Sequence, residues 1–110
     1  GKRLNAILNQ RSQDILVANN WNVVQYAVLM HIMARVSDLE IGELVHVIAD
    51  AHIYDRHIPL ISELLQRTPY PAPKLIINPD KKDFYDFNVK DFQLDNYQSG
   101  DPVKQIPVAI

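Results

Sequence analysis

The chain has 110 residues, a hydrophobic fraction of 47% and no cysteine, which is enough apolar material for the core of one domain over residues 1–110. Eleven basic and 13 acidic side chains give a formal net charge of -2, so bulk charge favours neither a DNA surface nor a membrane surface. The lack of cysteine excludes a disulfide, a thiolate metal site and a thiol nucleophile within these residues. The first residues are not followed by the apolar region and cleavage site of a signal peptide, so a cytoplasmic location is the default expectation.

Alternating apolar and polar residues predict a strand over residues 3–12. This strand brings Arg11 and Ser12 to the edge of the core, and Asp14 follows directly. A guanidinium can donate two hydrogen bonds to a phosphate and a hydroxyl can add a third, so the stretch is typical of a phosphate site. An ordinary surface ion pair between Arg11 and Asp14 is the alternative. The chain starts with Gly-Lys just ahead of the strand, as the second half of a cut β-hairpin would, and a fragment is therefore expected.

A mostly apolar helix is predicted next, with Asn19 or Asn20 as its N-cap and an end near Val36. Its polar stripe is thin, so the helix is expected to be covered on most sides and to form the centre of the core. The run that starts at Trp21 is too short and too often interrupted by polar residues for a membrane span. Asn22 has two interpretations: a helix cap, or an amide that pairs with the N3–H and O4 edge of uracil.

A period of two over residues 44–54 predicts a second strand with one small, apolar face. The opposite face ends in Asp50, His52 and Tyr54. Because alternate residues of a strand share a face, His52 and Tyr54 are expected side by side, able to hold a small group such as a sugar hydroxyl. A buried hydrogen-bonded network that includes Asp50 is the alternative. The histidine spacings match no common metal motif, so no metal is predicted.

The second half of the chain has shorter predicted elements. A helix over residues 58–67 tolerates Pro59 in its first turn, and the prolines that follow impose an extended segment. Short strands at Lys74–Ile77 and over residues 92–97 lie on either side of a loop at residues 78–82. Helices and strands both occur along the chain, and the expected fold class is α+β.

Several motifs occur together and in order. They are Gln10-Arg11-Ser12-x-Asp14, Asn22, Asp50-x-His52-x-Tyr54-x-x-His57, Pro73-Lys74-Leu75 and Val108-Ala109-Ile110. In this combination the chain resembles the C-terminal part of thymidylate synthase over nearly its whole length. The resemblance implies the thymidylate synthase-like fold, a mixed β-sheet packed on a long buried helix, and an obligate homodimer whose sheets pack face to face. It also implies that the segment with the nucleophilic cysteine is missing.

In that family a cysteine attacks C6 of dUMP, and 5,10-methylenetetrahydrofolate supplies the one-carbon unit and a hydride to give dTMP and dihydrofolate. The resemblance implies that the parent protein is this methyltransferase, with dUMP and folate as ligands and no metal, and that the 110-residue chain alone is inactive. Two alternatives remain open. One is a non-catalytic nucleotide-binding module on the same fold, and the other is a deoxycytidylate hydroxymethylase relative, which would carry an acidic residue in place of Asn22.

The resemblance also assigns the substrate contacts. Arg11 and Ser12 would hold the phosphate, and Arg11 would act in catalysis by favouring the thiolate of the missing cysteine. Asn22 would read the uracil edge. His52 and Tyr54 would hold the deoxyribose 3'-hydroxyl.

The implied cofactor contacts are Asp14, Asp50 and Ala109, the last in a C-terminal segment that folds over the folate and excludes water. The chain departs from the family pattern nearby: residues 18–22 replace a Gly-x-Pro-Phe-Asn segment, Ala49 replaces a glycine, and Gln25 replaces a serine. A methyl group where glycine allowed close backbone approach is expected to narrow the pocket.

Overall fold

The computed structural model describes residues 2–108. They form two compact units, one ending at Asp55 and the other beginning at Arg56. Both units mix helix and strand, as the α+β class requires. The single domain expected over residues 1–110 stays a prediction.

The first unit is a strand, a helix and a strand: β1 (Arg3–Asp14), α1 (Asn19–Val36) and β2 (Glu40–His52). The two strands pair in parallel. Parallel neighbours cannot be joined by a tight turn, and α1 supplies the crossover between them. All three predicted elements are confirmed, although β1 continues to Asp14 and β2 spans Glu40–His52 instead of residues 44–54.

The entry into α1 differs from the sequence prediction. The helix is capped at Ala18 with no side-chain hydrogen bond, so neither Asn19 nor Asn20 acts as a cap. Instead, Oδ1 of Asp14 accepts hydrogen bonds from the backbone N–H groups of Leu16 and Val17, at 3.0 and 3.2 Å. An aspartate can organise a turn through such local bonds. The cap prediction was wrong because the turn before the helix is held by the end of β1.

The helix α1 ends at Val36, where the sequence predicts its end. Asp38 adopts a positive φ of 54°, and the backbone N–H of Leu39 reaches back to the carbonyl of Ala34 at 2.9 Å. This pattern is the Schellman motif, which satisfies carbonyls that would otherwise lack partners at a helix end. Aspartate tolerates the left-handed conformation better than most non-glycine residues.

The expectation that α1 is covered on most sides was wrong for the described chain. Only Met30 and Ala34 are buried in the helix, while Trp21 is 78% exposed. The physical reason is that two strands cover only one face of a helix that is apolar almost all round. Leu8 of β1 is the buried strand residue that completes this small core.

Gly42 marks an irregularity in the strand pair. The register shifts between Leu4 and Ala6 on β1, so β2 carries an extra residue there. A Cβ atom at Gly42 would lie 2.6 Å from the backbone oxygen of Leu4 and would overlap the side chain of Asn5. Oδ1 of Asn5 also accepts the backbone N–H of Glu43 at 2.8 Å. The position therefore needs glycine for space, because the asparagine side chain fills it.

Replacing this glycine is expected to destabilise the first unit. Gly42→Ala forces either the β1 backbone or the Asn5 side chain to move, and overpacking of this kind typically costs about 1–3 kcal/mol. Urea unfolding followed by circular dichroism measures the change. Gly100→Ala is the control, because its Cβ would meet nothing closer than 3.5 Å. Equal stability of the two variants would contradict the packing argument.

The second unit contains α2 (Ile58–Leu64), β3 (Lys74–Ile77) and β4 (Phe92–Asp95), with β3 and β4 antiparallel. The predicted elements are confirmed, but β4 ends at Asp95 instead of residue 97. Helix α2 ends before residue 67, because the last turn tightens: the N–H of Arg67 bonds to the carbonyl of Leu64. Three short 3₁₀ segments, at Asp55–His57, Phe84–Asp86 and Val89–Asp91, had no signal in the periodicity of the sequence. One parallel and one antiparallel strand pair are thus present.

Asp91 is the buried polar centre of the second unit. Its carboxylate accepts hydrogen bonds from Nδ2 of Asn78, at 2.8 Å, and from the backbone N–H of Asn88, at 2.9 Å. These bonds, the Asn78 side chain first, hold the pKa of Asp91 below its ordinary value. The loop between β3 and β4 is therefore fixed by an ionised carboxylate.

Among the described residues, no helix combines the length and the apolar character that crossing a membrane requires.

Candidate functional site

The carboxyl ends of β1 and β2 bring four predicted site residues to one edge. Ser12 is the register partner of Asp50, and Asp14 is the register partner of His52. In parallel strands both chains run the same way, so the residues that end them lie at the same edge, where open α/β sheets usually bind ligands. The sequence placed these residues 38 positions apart, and the pairing joins them.

Hydrogen bonds connect this edge. The Ser12 hydroxyl donates to Oδ2 of Asp50 at 3.2 Å. Nδ1 of His52 lies 3.3 Å from the backbone oxygen of Asp50 and 3.5 Å from its Oδ1. The His52 ring meets the Tyr54 ring edge to face, with centroids 5.2 Å apart. The prediction that His52 and Tyr54 lie side by side is confirmed.

The same groups are open to a ligand. The Asp50 side chain is 64% exposed, and Tyr54 is also exposed. The alternative of a buried network was wrong, because these side chains are accessible to solvent. A serine hydroxyl, an imidazole, a phenol and a carboxylate together offer both donors and acceptors at one accessible edge. Such a set is suited to a hydroxyl-rich or phosphate-bearing ligand.

Arg11 contributes differently from Ser12. It belongs to the exposed set of β1 residues, whereas Ser12 is half-buried, as the alternation of a strand dictates. Within residues 2–108 the guanidinium makes no ion pair or hydrogen bond. The alternative of an Arg11–Asp14 ion pair was wrong, since Oδ1 of Asp14 is used by the turn before α1. Arg11 is thus a cation without a carboxylate beside it.

Asn22 is not a helix cap. It lies in the first turn of α1, and its Oδ1 accepts a hydrogen bond from Nε2 of Gln13 at 3.1 Å. Gln13 is only 1% exposed, between the predicted site residues Ser12 and Asp14. Sequence analysis missed Gln13, because a polar residue in an alternating strand gives no sign of being buried. The only available signal was its place inside the Arg-Ser-x-Asp stretch.

The comparisons with known proteins agree on one family. The sequence profile of thymidylate synthase matches residues 1–110. The chain belongs to the thymidylate synthase family. It is 44% identical over 99 residues to a thymidylate synthase of Bacillus mojavensis, covering 90% of this chain and 36% of that protein. It is 40% identical over 108 residues to one of Listeria monocytogenes, covering 98% of this chain and 34% of that protein.

The fold agrees with this assignment. The solved structure of the thermostable thymidylate synthase A from Bacillus subtilis matches with a TM-score of 0.88 and 43% identity, over 93% of this chain and 36% of that one. The predicted thymidylate synthase-like fold is therefore confirmed. The chain spans about a third of the length of the thymidylate synthases that it matches.

The departures from the thymidylate synthase pattern can now be placed. Ala18 has φ of -106° and ψ of -24°, a right-handed conformation that any residue adopts, so its methyl group causes no backbone strain. Ala49 lies on the exposed face of β2. Trp21 projects from α1 into solvent. None of the three disturbs the bonds between Ser12 and Asp50.

The second unit contains the last described residues of the chain, and two of its side chains bond to them. His57, which is buried, donates from Nε2 to the backbone oxygen of Pro107 at 2.8 Å. Arg56 donates to the oxygen of Val108 at 3.4 Å. These contacts were not predicted, since nothing in a sequence pairs residues 50 positions apart. Ala109, the predicted cofactor contact, lies outside the described residues.

Three of the four histidines of the chain have hydrogen-bond partners among the described residues. Among residues 2–108, no three histidine or acidic side chains come together in a way that would hold a metal ion. His52 bonds to Asp50, and His57 bonds to Pro107. His31 donates to the carbonyl of Ala27 one turn earlier in α1.

Proposed function

We propose that the protein to which this chain belongs methylates dUMP to dTMP, with 5,10-methylenetetrahydrofolate as one-carbon and hydride donor. The observation that carries the proposal is the exposed Ser12–Asp50–His52–Tyr54 edge, in a chain of the thymidylate synthase family. In this proposal the chain supplies nucleotide and folate contacts, and another part of the protein supplies the cysteine.

Arg11 and Ser12 would bind the phosphate of the nucleotide. The Arg11 guanidinium is exposed and has no carboxylate partner in the described chain, so a phosphate would be its first charged neighbour there. Ser12 has a single O–H, which donates to Asp50. To donate to a phosphate oxygen, the hydroxyl would rotate and give up its hydrogen bond to Asp50.

The remaining predicted site residues would bind the sugar of the nucleotide and the folate. The T-shaped contact between His52 and Tyr54 holds both polar tips at one edge, where they would bind the 3'-hydroxyl of deoxyribose. Asp50 and Asp14 would line the folate side. Ala109 would belong to the segment that closes over the folate, following Pro107 and Val108, whose carbonyls bond to His57 and Arg56.

We also propose that the protein that contains this chain forms a homodimer. From Val45 onward, the odd-numbered residues of β2 form a small apolar face, of which Val45 and Val47 are about half exposed. Apolar surface of this kind is normally covered in an assembly. The support is the match to thymidylate synthases together with this exposed face.

Two competing functions follow from particular residues. A deoxycytidylate hydroxymethylase would need an acidic residue where the chain has Asn22, and the amide therefore disfavours it. A non-catalytic nucleotide-binding module is favoured by Ala18 and by the exposed Trp21, which lie in a segment that departs from the family pattern. The presence or absence of a Pro-Cys-His strand just upstream in the reading frame separates this module from the enzyme.

Tyr54→Phe tests the sugar contact. In the protein that contains this chain, we expect the substitution to weaken dUMP binding by about 0.5–1.5 kcal/mol, a factor of roughly 2–13, through loss of one hydrogen bond. The phenyl ring preserves the contact with His52. Affinity for the 2',3'-dideoxy nucleotide is expected to stay unchanged, because it lacks the hydroxyl.

Isothermal titration of both nucleotides measures this difference. Tyr26→Phe is the control, since Tyr26 is a partly exposed residue of α1 outside the site. An equal loss for dUMP and for the dideoxy nucleotide would contradict the role of Tyr54, and unchanged binding of both would do so as well.

A further inference from the structure

Gln13 is the buried residue of the site that no role above requires. It lies on the set of β1 residues that is otherwise exposed, yet only 1% of it is accessible. Its Nε2 donates to Oδ1 of Asn22 at 3.1 Å and to the backbone oxygen of Asp14 at 3.4 Å. Its Oε1 is buried and has no hydrogen-bond partner among the described residues.

The contact with Asp14 fixes the orientation of the Gln13 amide. A backbone carbonyl can only accept, and this one also accepts the N–H of Ala18 at 3.1 Å. The end of Gln13 that faces it must therefore be the NH₂ group. That same group faces Asn22, so the nearer atom of Asn22 must be its Oδ1. The Asn22 NH₂ group is left pointing away from Gln13.

Stability alone does not account for a glutamine here. Burying a carbonyl oxygen without a hydrogen-bond partner costs folding free energy, because the oxygen loses its hydrogen bonds to water and gains none in the protein. An apolar side chain of similar size would fill the same space without that penalty. The compensating gain is the fixed orientation of Asn22.

We propose that Gln13 is a positioning residue that sets the base preference of the nucleotide site by holding the Asn22 amide with its NH₂ group toward the ligand. This inference rests on the proposed function. Uracil presents a carbonyl, O4, at the position where cytosine presents an amino group. A fixed NH₂ donor pairs with the carbonyl and opposes the amino group, while the second lone pair of Asn22 Oδ1 remains for N3–H.

Two substitutions separate positioning from mere packing. Gln13→Met keeps the size and removes the donor, so the Asn22 amide can adopt both orientations. Gln13→Glu places an acceptor toward Asn22, which then turns its NH₂ group inward and presents Oδ1 to the ligand. Gln93→Met, at an exposed position of β4, is the control.

The experiment is an NMR titration of the protein that contains this chain, with dUMP and, separately, with dCMP. We expect the preference for dUMP over dCMP to fall at least threefold in Gln13→Met and further in Gln13→Glu, and to stay at the wild-type value in Gln93→Met. In the ligand-free chain, the side-chain NH₂ signals of Asn22 are expected to show a lower heteronuclear NOE in Gln13→Met than in wild type.

The outcomes distinguish the two levels of the proposal. Equal weakening of dUMP and dCMP binding, or an Asn22 side chain as ordered in Gln13→Met as in wild type, overturns the positioning role. If wild type binds neither nucleotide while Asn22 still loses order in Gln13→Met, the base preference and the proposed function are overturned, and the orientation of Asn22 by Gln13 stands.

Discussion

The 110-residue chain alone is expected to form no dTMP from dUMP and methylenetetrahydrofolate, and no covalent adduct with a fluorinated uracil nucleotide. The chain contains no cysteine, and a thiolate is the nucleophile that its resemblance to thymidylate synthase calls for. The hydroxyl nearest the site cannot replace it. Ser12 donates to Asp50, and a carboxylate is too weak a base to convert a serine into an alkoxide on its own.

Mass spectrometry of the intact chain after incubation with the fluorinated nucleotide and folate measures the adduct, and absorbance of dihydrofolate measures turnover. Thymidylate synthase A of Bacillus subtilis, the structural match described above, serves as the positive control. A mass increase located on Ser12 or His52 would contradict the prediction, because it would show a nucleophile within this chain.

The strands and α1 could be predicted from the sequence because their signals are local. Alternation along β1 and β2 and the apolar run of α1 are visible within a single stretch of chain. The cap of α1 could not be predicted. Asn19 and Asn20 have the right chemistry, but the turn is held by Asp14, and only the path of the chain decides which of three competing side chains acts.

The features of the site also divide into those that local sequence patterns could predict and those that they could not. His52 and Tyr54 could be paired from sequence because residues two apart in an extended chain share a face, and the pairing holds although β2 itself ends at His52. The hydrogen bond between Ser12 and Asp50 depends on the register of two strands joined by α1. The hydrophobic periodicity of each strand does not show which residues of the two strands lie opposite each other. The burial of Gln13 could not be predicted, since it results from the way α1 begins beside the end of β1.

Arg11→Ala is expected to weaken dUMP binding in the protein that contains this chain by about 1.5–3 kcal/mol, or roughly 10- to 150-fold, the usual range for hydrogen bonds to a charged group. The guanidinium has no ion pair within residues 2–108, so its removal leaves no buried charge there without a partner and should not alter the stability of the fold. Arg11→Lys retains the charge but not the planar pair of donors, and an intermediate loss is expected.

Arg3→Ala provides the matched control, because Arg3 lies on the same strand and in the same exposed set as Arg11, at the end far from the site. Titration with dUMP and with deoxyuridine separates the phosphate contact from everything else: Arg11→Ala should reduce the affinity for dUMP and leave that for deoxyuridine unchanged. Since a phosphate contact is electrostatic, the difference between wild type and Arg11→Ala should also shrink as salt increases. Unchanged dUMP affinity in Arg11→Ala, or an equal loss in Arg3→Ala, would show that Arg11 is an ordinary surface cation and would remove the phosphate from the proposed site.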